Sequence, residues 1–403
     1  MSAPTSPLPF WELIETLKTT KRGGWIRQEL QTRTESVSDH MYRMAVMCHM
    51  APGQFGETVR AQAAAMALVH DMGEAIIGDI TPYDGISPDE KRLREELAVK
   101  FLSCTVRPSN PHFADMVLEL WNEYEAGKTQ VSQLVRQIDK LECMNQAAIY
   151  EERSGQDMEE FMALRSCVTL PELQPWLSVV LQDYEELKSR RKSDTIIVFV
   201  SGGPGVGKGT QCTLIAEEFG FCHISVGDLL RKEAASPLSH YGAFITESMQ
   251  NSVLLPAQLT TYLLRQEMQK AQAQGAQRFL LDGFPRSVDQ AASFGIKISD
   301  RYSTISLDCS EETMRERLEQ RAQSSERIDD NSDVVLRRFR TYEENNAPVL
   351  EYLREHGPVH HVDAARSVDA VHQSMRQMIE QVLKSGQTHR VQQPNSSAPA
   401  GPA

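Results

Sequence analysis

Apolar residues recur at helical spacing through the first half of the chain. One predicted helix face carries Val37, Met41, Met44, Ala45 and Cys48. Runs of β-branched residues, which mark strands, are missing from about Pro9 to Tyr184. The pattern predicts an all-helical region.

The pattern changes after the polar and basic segment SRRKSD, residues 189–194. The run IIVFV follows at once, and a continuous β-branched run of this kind is typical of a strand buried on both faces. Further short runs, CHIS, RFLLD, TISLD and VHHVD, then alternate with helical stretches. This alternation predicts an α/β domain with a parallel sheet and helices on both sides.

The length of the chain, 403 residues, indicates more than one domain, because single hydrophobic cores stop growing well below this size. We predict a helical domain over residues 1–188, a linker over 189–194 and an α/β domain over 195–384. The tail, residues 385–403, is rich in Gln, Ser, Pro and Ala, and it is predicted to be disordered.

Charge and composition narrow the class of partner. The net charge of -13 argues against binding to nucleic acid or to anionic membranes, both of which require a basic surface. No stretch approaches the roughly 20 apolar residues that span a bilayer, and a secretory signal is not evident. The seven cysteines lack paired C-x-x-C spacing, which favours reduced thiols and a cytoplasmic location.

Histidine and aspartate in three helical segments form a candidate metal site. The four candidate ligands are His40, His70, Asp71 and Asp139. Imidazole and carboxylate without thiolate suit manganese, cobalt, iron or magnesium better than structural zinc. Glu74 lies four residues after His70, on an adjoining helix face, where a carboxylate could serve as a general acid or base.

The segments RGGW, ESVSDHMYRMAVM, ALVHDMGEAIIGDITP, LWNEYE and VRQIDKLECMNQAAIYE resemble the HD-domain family of 5'-deoxynucleotidases. The similarity extends over roughly residues 10–185. It implies the same four ligands, a helical bundle, and hydrolysis of deoxynucleoside 5'-monophosphates to deoxynucleoside and phosphate. It also implies catalytic carboxylates at Glu74 and Asp79, a phosphate contact at Arg22, and packing of Trp25 on the sugar or base. Whether the chain forms a homodimer through this domain is left open by the sequence.

A glycine-rich segment, SGGPGVGKGTQC, directly follows the first predicted strand and leads into a predicted helix. Glycines allow several backbone N–H groups to point at phosphate oxygens, and the helix N-terminus adds its dipole. Lys208 supplies a positive charge. The predicted phosphate-binding residues are Gly202, Gly203, Pro204, Gly205, Val206, Gly207, Lys208, Gly209 and Thr210.

The segments GGPGVGKGT, SVGDLLR, FLLDGFPR, ERLEQRAQSSERIDDN and RRFRTYEENNAPVLEYL resemble the adenylate kinase and UMP-CMP kinase family, from Ile196 to about Leu383. The resemblance implies ATP and magnesium as cofactors, with Asp282 holding magnesium through water. It also implies that two arginines grip the acceptor monophosphate, Arg231 and Arg286. Three more would reach the transferring phosphate and ATP, namely Arg321, Arg327 and Arg338.

The nucleobase is less well defined by the sequence. Gln290 resembles the adenine-reading glutamine of adenylate kinases, Thr260 resembles the pyrimidine branch, and Val226 matches neither. The balance slightly favours AMP or dAMP over UMP or CMP. Ala322 and Glu326 stand where these kinases usually have glycine around the lid, and this difference is expected to slow lid closure or change donor preference.

Three hypotheses follow for the whole chain. In the first, both halves are active enzymes on small-molecule nucleotides. In the second, the kinase half binds nucleotide and regulates the hydrolase half. In the third, the helical half is a silent scaffold, which the carboxylates at Glu74 and Asp79 beside four ligands argue against.

Overall fold

The chain divides into two units, Met1–Lys188 and Ser189–Ala403, in a computed structural model that describes residues 6–190, 195–322 and 332–385. Residues 189 and 190 of the predicted linker end a helix, and residues 191–194 lie outside the described part. Of the predicted disordered tail, Ser385 ends a helix and residues 386–403 lie outside the described part as well.

The N-terminal unit is helical, as predicted. Its α-helices are α1 Leu8–Glu15, α2 Gly23–Arg27, α3 Val37–Met50, α4 Gly56–Ala67, α5 Glu74–Ile77, α6 Pro88–Val106, α7 Pro111–Ala126, α8 Gln130–Ser154 and α9 Gln174–Arg190. Short 3-10 segments lie at Thr16–Lys18, Gly53–Phe55, Glu159–Cys167 and Pro171–Leu173. Within its described residues, the β-structure is limited to an isolated bridge between Lys21 and Ser36.

The two helices that carry predicted ligands begin at defined caps. Ser36 accepts a hydrogen bond from the Asp39 N–H, and the Asp39 carboxylate accepts one from the Ser36 N–H, which fixes the start of α3 just before His40. Thr129 and Ser132 form the same reciprocal arrangement at the start of α8. A cap of this kind stabilises a helix by about 1 kcal/mol.

The core of this unit lies where α3, α4 and α8 pack together. Met44, Ala63, Leu134, Ile138 and Met144 are fully buried there. Because one face of each helix is apolar, the polar residues next to those faces are brought together at the edge of the core. Packing therefore places the three ligand-bearing segments side by side.

The C-terminal unit contains a parallel sheet, as predicted. Its strands are β1 Ile196–Gly202, β2 Cys222–Ser225, β3 Arg278–Asp282, β4 Ser303–Asp308 and β5 Val359–Asp363. They lie in the order β2-β3-β1-β4-β5, and each neighbouring pair is parallel. The helices are α10 Lys208–Phe219, α11 Val226–Ala235, α12 Gly242–Gln250, α13 Ala257–Ala273, α14 Val288–Lys297, α15 Glu311–Ala322, α16 Ser332–His356 and α17 Val368–Ser385.

The sheet is buried on both faces. Phe199 and Leu281 point into one apolar cluster, while Val198, Val200 and Leu280 point into another on the opposite face. All strands run in the same direction, so their carboxyl ends meet at one edge, which is where open α/β sheets bind ligands. None of the described helices combines the length and hydropathy needed to cross a membrane.

Candidate active sites

Four predicted metal ligands of the N-terminal unit lie together in the structure. His40 comes from α3, His70 and Asp71 from the turn between α4 and α5, and Asp139 from α8. His40 Nε2 lies 3.4 Å from Asp139 Oδ1 and 4.0 Å from Asp71 Oδ2. His70 Nε2 lies 3.2 Å from Asp71 Oδ2. Residues nearly 100 positions apart in sequence therefore share one cluster.

Hydrogen bonds behind the two imidazoles orient them toward this cluster. His70 Nδ1 donates to the Ala67 carbonyl oxygen at 2.8 Å, and His40 Nδ1 lies 2.7 Å from Glu142 Oε2. Both Nε2 atoms are buried and have no hydrogen-bond partner among the described residues. Two unpartnered imidazole nitrogens beside two carboxylates are a donor set that fits a divalent cation.

The electrostatics of the cluster favour positive charge. Burial and Arg22 lower the pKa of His40, yet the nearby carboxylates of Asp139 and Glu142 raise it to about 9. The excess of carboxylates over cations in a buried place is responsible for this shift. The cluster is therefore suited electrostatically, as well as by its donor atoms, to hold a cation.

Arg22 lies beside the cluster, at the start of α2. Its guanidinium donates to Asp71 Oδ2 at 3.0 Å and lies 3.9 Å from Asp139 Oδ1. Burial alone would lower the pKa of Arg22, but Asp71 and Asp79 hold it well above its usual value. A permanently charged guanidinium in this position could bind a phosphate oxygen.

The two predicted catalytic carboxylates line the same cavity of about 630 Å³. Glu74 begins α5 and is only 5% exposed; burial, followed by Asp71 and Asp79, raises its pKa well above the usual value. Asp79 Oδ2 accepts a hydrogen bond from the Gly23 N–H at 2.7 Å. A Cβ on Gly23 would lie 2.4 Å from Thr81 Cγ2, so this close approach requires glycine.

Trp25 lines the cavity but belongs mainly to the core. It is 2% exposed, and its indole N–H donates to Glu35 Oε1 at 2.8 Å. Its ring packs against Tyr150 and Phe161. The predicted packing of Trp25 on a sugar or base would therefore use only a small part of the ring.

Two residues at this site were missed from the sequence. Glu142 is fully buried and accepts hydrogen bonds from His40 and Arg43, while Lys140 donates to Asp139 Oδ2 at 2.6 Å. Glu142 lies three positions after Asp139 on α8, a spacing that places both carboxylates on neighbouring faces of one helix. That spacing was the signal that could have identified Glu142.

We expect Glu142→Gln to weaken binding of a divalent cation by about 10- to 100-fold, the usual effect of losing an outer partner of a ligating histidine. The amide retains the shape of the side chain but removes the negative charge that orients His40 and increases its basicity. Isothermal titration of the full chain with Mn²⁺ measures the affinity. Glu119→Gln, an exposed glutamate on α7, is the control, and equal affinities of both variants would contradict the role of Glu142.

The glycine-rich segment of the C-terminal unit forms a loop between β1 and α10. Gly205 and Gly207 adopt φ values of 84° and 104°, which favour glycine. A Cβ on Gly205 would lie 2.5 Å from the Met314 carbonyl oxygen, so glycine is also required by the close approach of α15. The loop therefore curls tightly above the N-terminus of α10, as a phosphate-binding loop does.

Lys208 extends into the concave side of this loop. Its ammonium donates to the carbonyl oxygens of Gly202 at 2.7 Å and Gly203 at 2.8 Å. Burial lowers the pKa of Lys208 to about 8, although Asp282 opposes this effect. The lysine provides a positive charge at the place that the loop shapes for an anion.

Two predicted acceptor-binding arginines converge near the loop. Arg231 Nη2 and Arg286 Nη2 lie 3.2 Å and 3.6 Å from where a Cβ of Gly227 would be. Arg286 is held by a hydrogen bond from its Nε to the Gly283 carbonyl oxygen, and Arg231 by one to Asp228. Both line a cavity of about 680 Å³ that also contains Asp282, at the end of β3. Two guanidinium groups that lie this close to one point could bind one phosphate together.

The remaining predicted arginines are only partly described. Arg338, on α16, lines the same cavity. Arg327 and Glu326 lie outside the described residues, and of Arg321 and Ala322 only the helical backbone at the end of α15 is described. The predicted contacts of Arg321 and Arg327 stay predictions.

Arg317 was missed from the sequence, although it lies four residues before Arg321 on α15. Its guanidinium donates to the carbonyl oxygens of Val206 at 3.2 Å and Ala364 at 3.0 Å. It thereby joins the phosphate-binding loop to the segment after β5. The one-turn spacing from Arg321 was the available signal.

The three residues considered for base preference line one cavity with the arginines. Gln290, Thr260 and Val226 are buried. The Gln290 side-chain oxygen accepts a hydrogen bond from the Arg286 N–H at 2.9 Å. Gln290 therefore holds the backbone of Arg286, the arginine predicted to bind the acceptor, and base reading need not be its main role.

Comparisons with known proteins match both units. The profile of the HD domain family matches residues 14–174, and the Adenylate kinase profile matches residues 200–358. A UMP-CMP kinase of Lentinula edodes is 38% identical over 205 residues, which cover 49% of this chain and 90% of that protein. A uridylate kinase of Schizosaccharomyces pombe is 41% identical over 176 residues, and a UMP-CMP kinase of Bos taurus is 41% identical over 181 residues. Each of these matches covers 43% of this chain and 92% of the relative.

These matches agree with the two sites described above. The Adenylate kinase match covers the glycine-rich loop and the arginines near it, and the HD match covers the histidine and aspartate cluster. The chain therefore belongs to the adenylate kinase and UMP-CMP kinase family through its C-terminal unit, with an HD domain on its N-terminal side.

Proposed function

We propose that the chain is a bifunctional enzyme of nucleotide metabolism. Its HD domain hydrolyses deoxynucleoside 5'-monophosphates to deoxynucleosides and phosphate, and its kinase domain transfers a phosphoryl group from ATP to nucleoside monophosphates. The observation that carries the hydrolase assignment is the pair of buried, unpartnered Nε2 atoms of His40 and His70 beside two aspartates and Arg22. A silent scaffold has no need of such a costly polar cluster.

In the hydrolase, we assign the cation site to His40, His70, Asp71 and Asp139. A divalent ion such as Mn²⁺, Co²⁺, Fe²⁺ or Mg²⁺ supplies an acidified water and polarises a phosphate oxygen when bound there. Arg22 holds another phosphate oxygen by its charge. Glu74 and Asp79 face the same cavity and accept or return the protons that move during hydrolysis.

In the kinase, catalysis depends on charge and position because phosphoryl transfer needs little covalent chemistry from the protein. The loop N–H groups and Lys208 bind the ATP phosphates, and Arg231 and Arg286 bind the acceptor phosphate. Arg338, together with Arg321 and Arg327, neutralises charge on the group in transit. Asp282 would hold magnesium through water, which offsets phosphate charge.

We propose UMP and CMP as the acceptors of the kinase domain. Relatives named for UMP, CMP or uridylate are about 40% identical over nearly their whole length. Thr260 agrees with this branch, and the hydrogen bond that engages Gln290 with Arg286 weakens the sequence argument for AMP. This proposal replaces the slight preference for AMP or dAMP that Gln290 suggested.

The regulatory alternative has a specific motivation in the lid, where Ala322 and Glu326 replace the usual glycines. In that alternative the kinase domain binds nucleotide without turnover and controls phosphate release by the HD domain. A substrate panel separates the two hypotheses.

We expect the full chain to release phosphate from deoxynucleoside monophosphates with Mn²⁺ or Co²⁺, and to form ADP from ATP and Mg²⁺ with UMP or CMP. A panel of ribo- and deoxynucleoside monophosphates, assayed for both products, measures this. Absence of phosphate release with each divalent metal would contradict the hydrolase proposal. Phosphate release that responds to nucleotides without formation of ADP would support regulation instead.

A further inference from the structure

A second set of metal-ligating side chains lies beneath the phosphate-binding loop. Cys212 comes from α10, His223 from β2 and Asp282 from the end of β3, and one ligand atom of each lies within 4.8 Å of the others. Cys212 is fully buried, four residues after Lys208. His223 Nε2 lies 3.6 Å from Asp282 Oδ2, and it is buried without a hydrogen-bond partner among the described residues.

The donor types and spacing fit a four-coordinate transition metal. Zinc bonds of about 2.0 to 2.3 Å place tetrahedral ligands about 3.5 Å apart. The ligand atoms here lie within 4.8 Å of one another, so the side chains need to close by about 1.3 Å at most. His223 and Asp282 also line the nucleotide cavity, whereas Cys212 lies behind them. Three protein ligands and one position open to the cavity make up the ligand count of an accessible zinc site.

We propose that Cys212, His223 and Asp282 form an inhibitory site for zinc in the kinase domain. An ion held there occupies Asp282, which is then lost to magnesium. It also places positive charge near Lys208, whose ammonium must remain in the loop to bind phosphate. Both effects oppose productive binding of ATP with magnesium.

The thiol makes the site selective among divalent ions. On binding, Cys212 gives up its thiol proton and ligates as the thiolate, so only ions with high affinity for sulfur can bind tightly. Mg²⁺ and Mn²⁺ prefer oxygen ligands, so they do not bind tightly to Cys212, and Asp282 stays available to hold magnesium through water. The histidine and aspartate cluster of the HD domain has no thiol among its four proposed ligands, so Mn²⁺ can serve that domain without inhibiting the kinase.

Cobalt tests the site directly, because a thiolate ligand gives Co²⁺ an intense charge-transfer band in the near ultraviolet. We expect the full chain loaded with Co²⁺ to show this band, Cys212→Ala to lose it, and Cys143→Ala to retain it. Cys143 lines the cavity of the HD domain and is the matched control. The readout does not depend on either enzymatic activity, so it fails independently of the proposed function.

Kinase assays in excess Mg²⁺ with buffered free Zn²⁺ give the functional test. We expect the zinc concentration for half inhibition to rise at least about tenfold in Cys212→Ala, since loss of a ligand costs more than loss of an outer-shell partner. Cys212→Val, which fills the same space without a donor atom, is the second variant if Cys212→Ala folds poorly. A cobalt band that persists in both variants, or zinc inhibition equal to that of the unmodified chain, would overturn the proposal.

Discussion

Asp71→Ala is expected to reduce phosphate release by the HD domain by at least about 10³-fold and to leave the kinase activity unchanged. Asp71 Oδ2 lies within 3.2 Å of His70 Nε2 and 3.0 Å of Arg22 Nη1. Burial opposes ionisation, but His70 and Arg22 hold the pKa of Asp71 well below its usual range. The variant therefore removes an ionised carboxylate that is proposed as a ligand, and it removes the carboxylate oxygen to which Arg22 donates at 3.0 Å.

Both activities are measured on the same preparation of the full chain, by phosphate release and by formation of ADP. Asp71→Asn retains the shape of the side chain and guards against a loss that comes only from misfolding. Asp115→Ala, an exposed aspartate on α7, is the control. Full phosphate release by Asp71→Asn and Asp71→Ala would refute the assigned site, and loss of both activities would favour coupling between the domains.

Lys208→Ala is expected to lower the kinase turnover number by about 10³-fold while phosphate release by the HD domain stays at its original level. The ammonium of Lys208 lies inside the loop, bonded to the Gly202 and Gly203 carbonyl oxygens. Among the described residues that line this cavity, Lys208 is the single lysine. In the variant, the positive charge at this place can come only from neighbouring arginines, whose guanidinium groups have a different geometry. Alanine suits the first turn of α10, and the fold should persist.

Steady-state kinetics with UMP or CMP as acceptor separates turnover from binding. Lys232→Ala on α11 is the control, because its side chain is largely exposed. If Lys208→Ala also loses phosphate release, nucleotide bound by the kinase domain controls the HD domain, and the regulatory hypothesis gains support. If Lys208→Ala retains kinase turnover, the role assigned to the loop is wrong.

The kinase site was the easier of the two to predict, because its central part is local in sequence. The strand, the glycine-rich loop and the helix that make up the phosphate cradle are contiguous from Ile196 to Phe219. The apolar runs also identified the strands, since a sheet covered on both faces requires continuous hydrophobic segments. Arg317 was missed because its acceptors are carbonyl oxygens from distant loops, so only its one-turn spacing from Arg321 pointed to it.

The histidine and aspartate site was harder to predict, because its residues are far apart in sequence. Its residue types could be selected by chemistry and by resemblance, but their meeting depends on how α3, α4 and α8 pack. Glu142 was missed because a glutamate on a long helix usually faces solvent, and only packing shows that this one is buried behind His40. The same holds for Trp25, whose burial among Tyr150 and Phe161 follows from contacts far apart in the chain.

The amino-acid sequence alone determined the two-part organisation, the helical and α/β classes and the phosphate-binding loop, because periodicity, turn chemistry and contiguous motifs act over short stretches of chain. Only the tertiary structure decided which side chains share a cavity, which imidazole nitrogens face it and which carboxylates lie behind them. Those relations join residues a hundred or more positions apart, as His40 joins Glu142. They depend on the packing of apolar helix faces and sheet faces, a long-range property that local pattern does not encode.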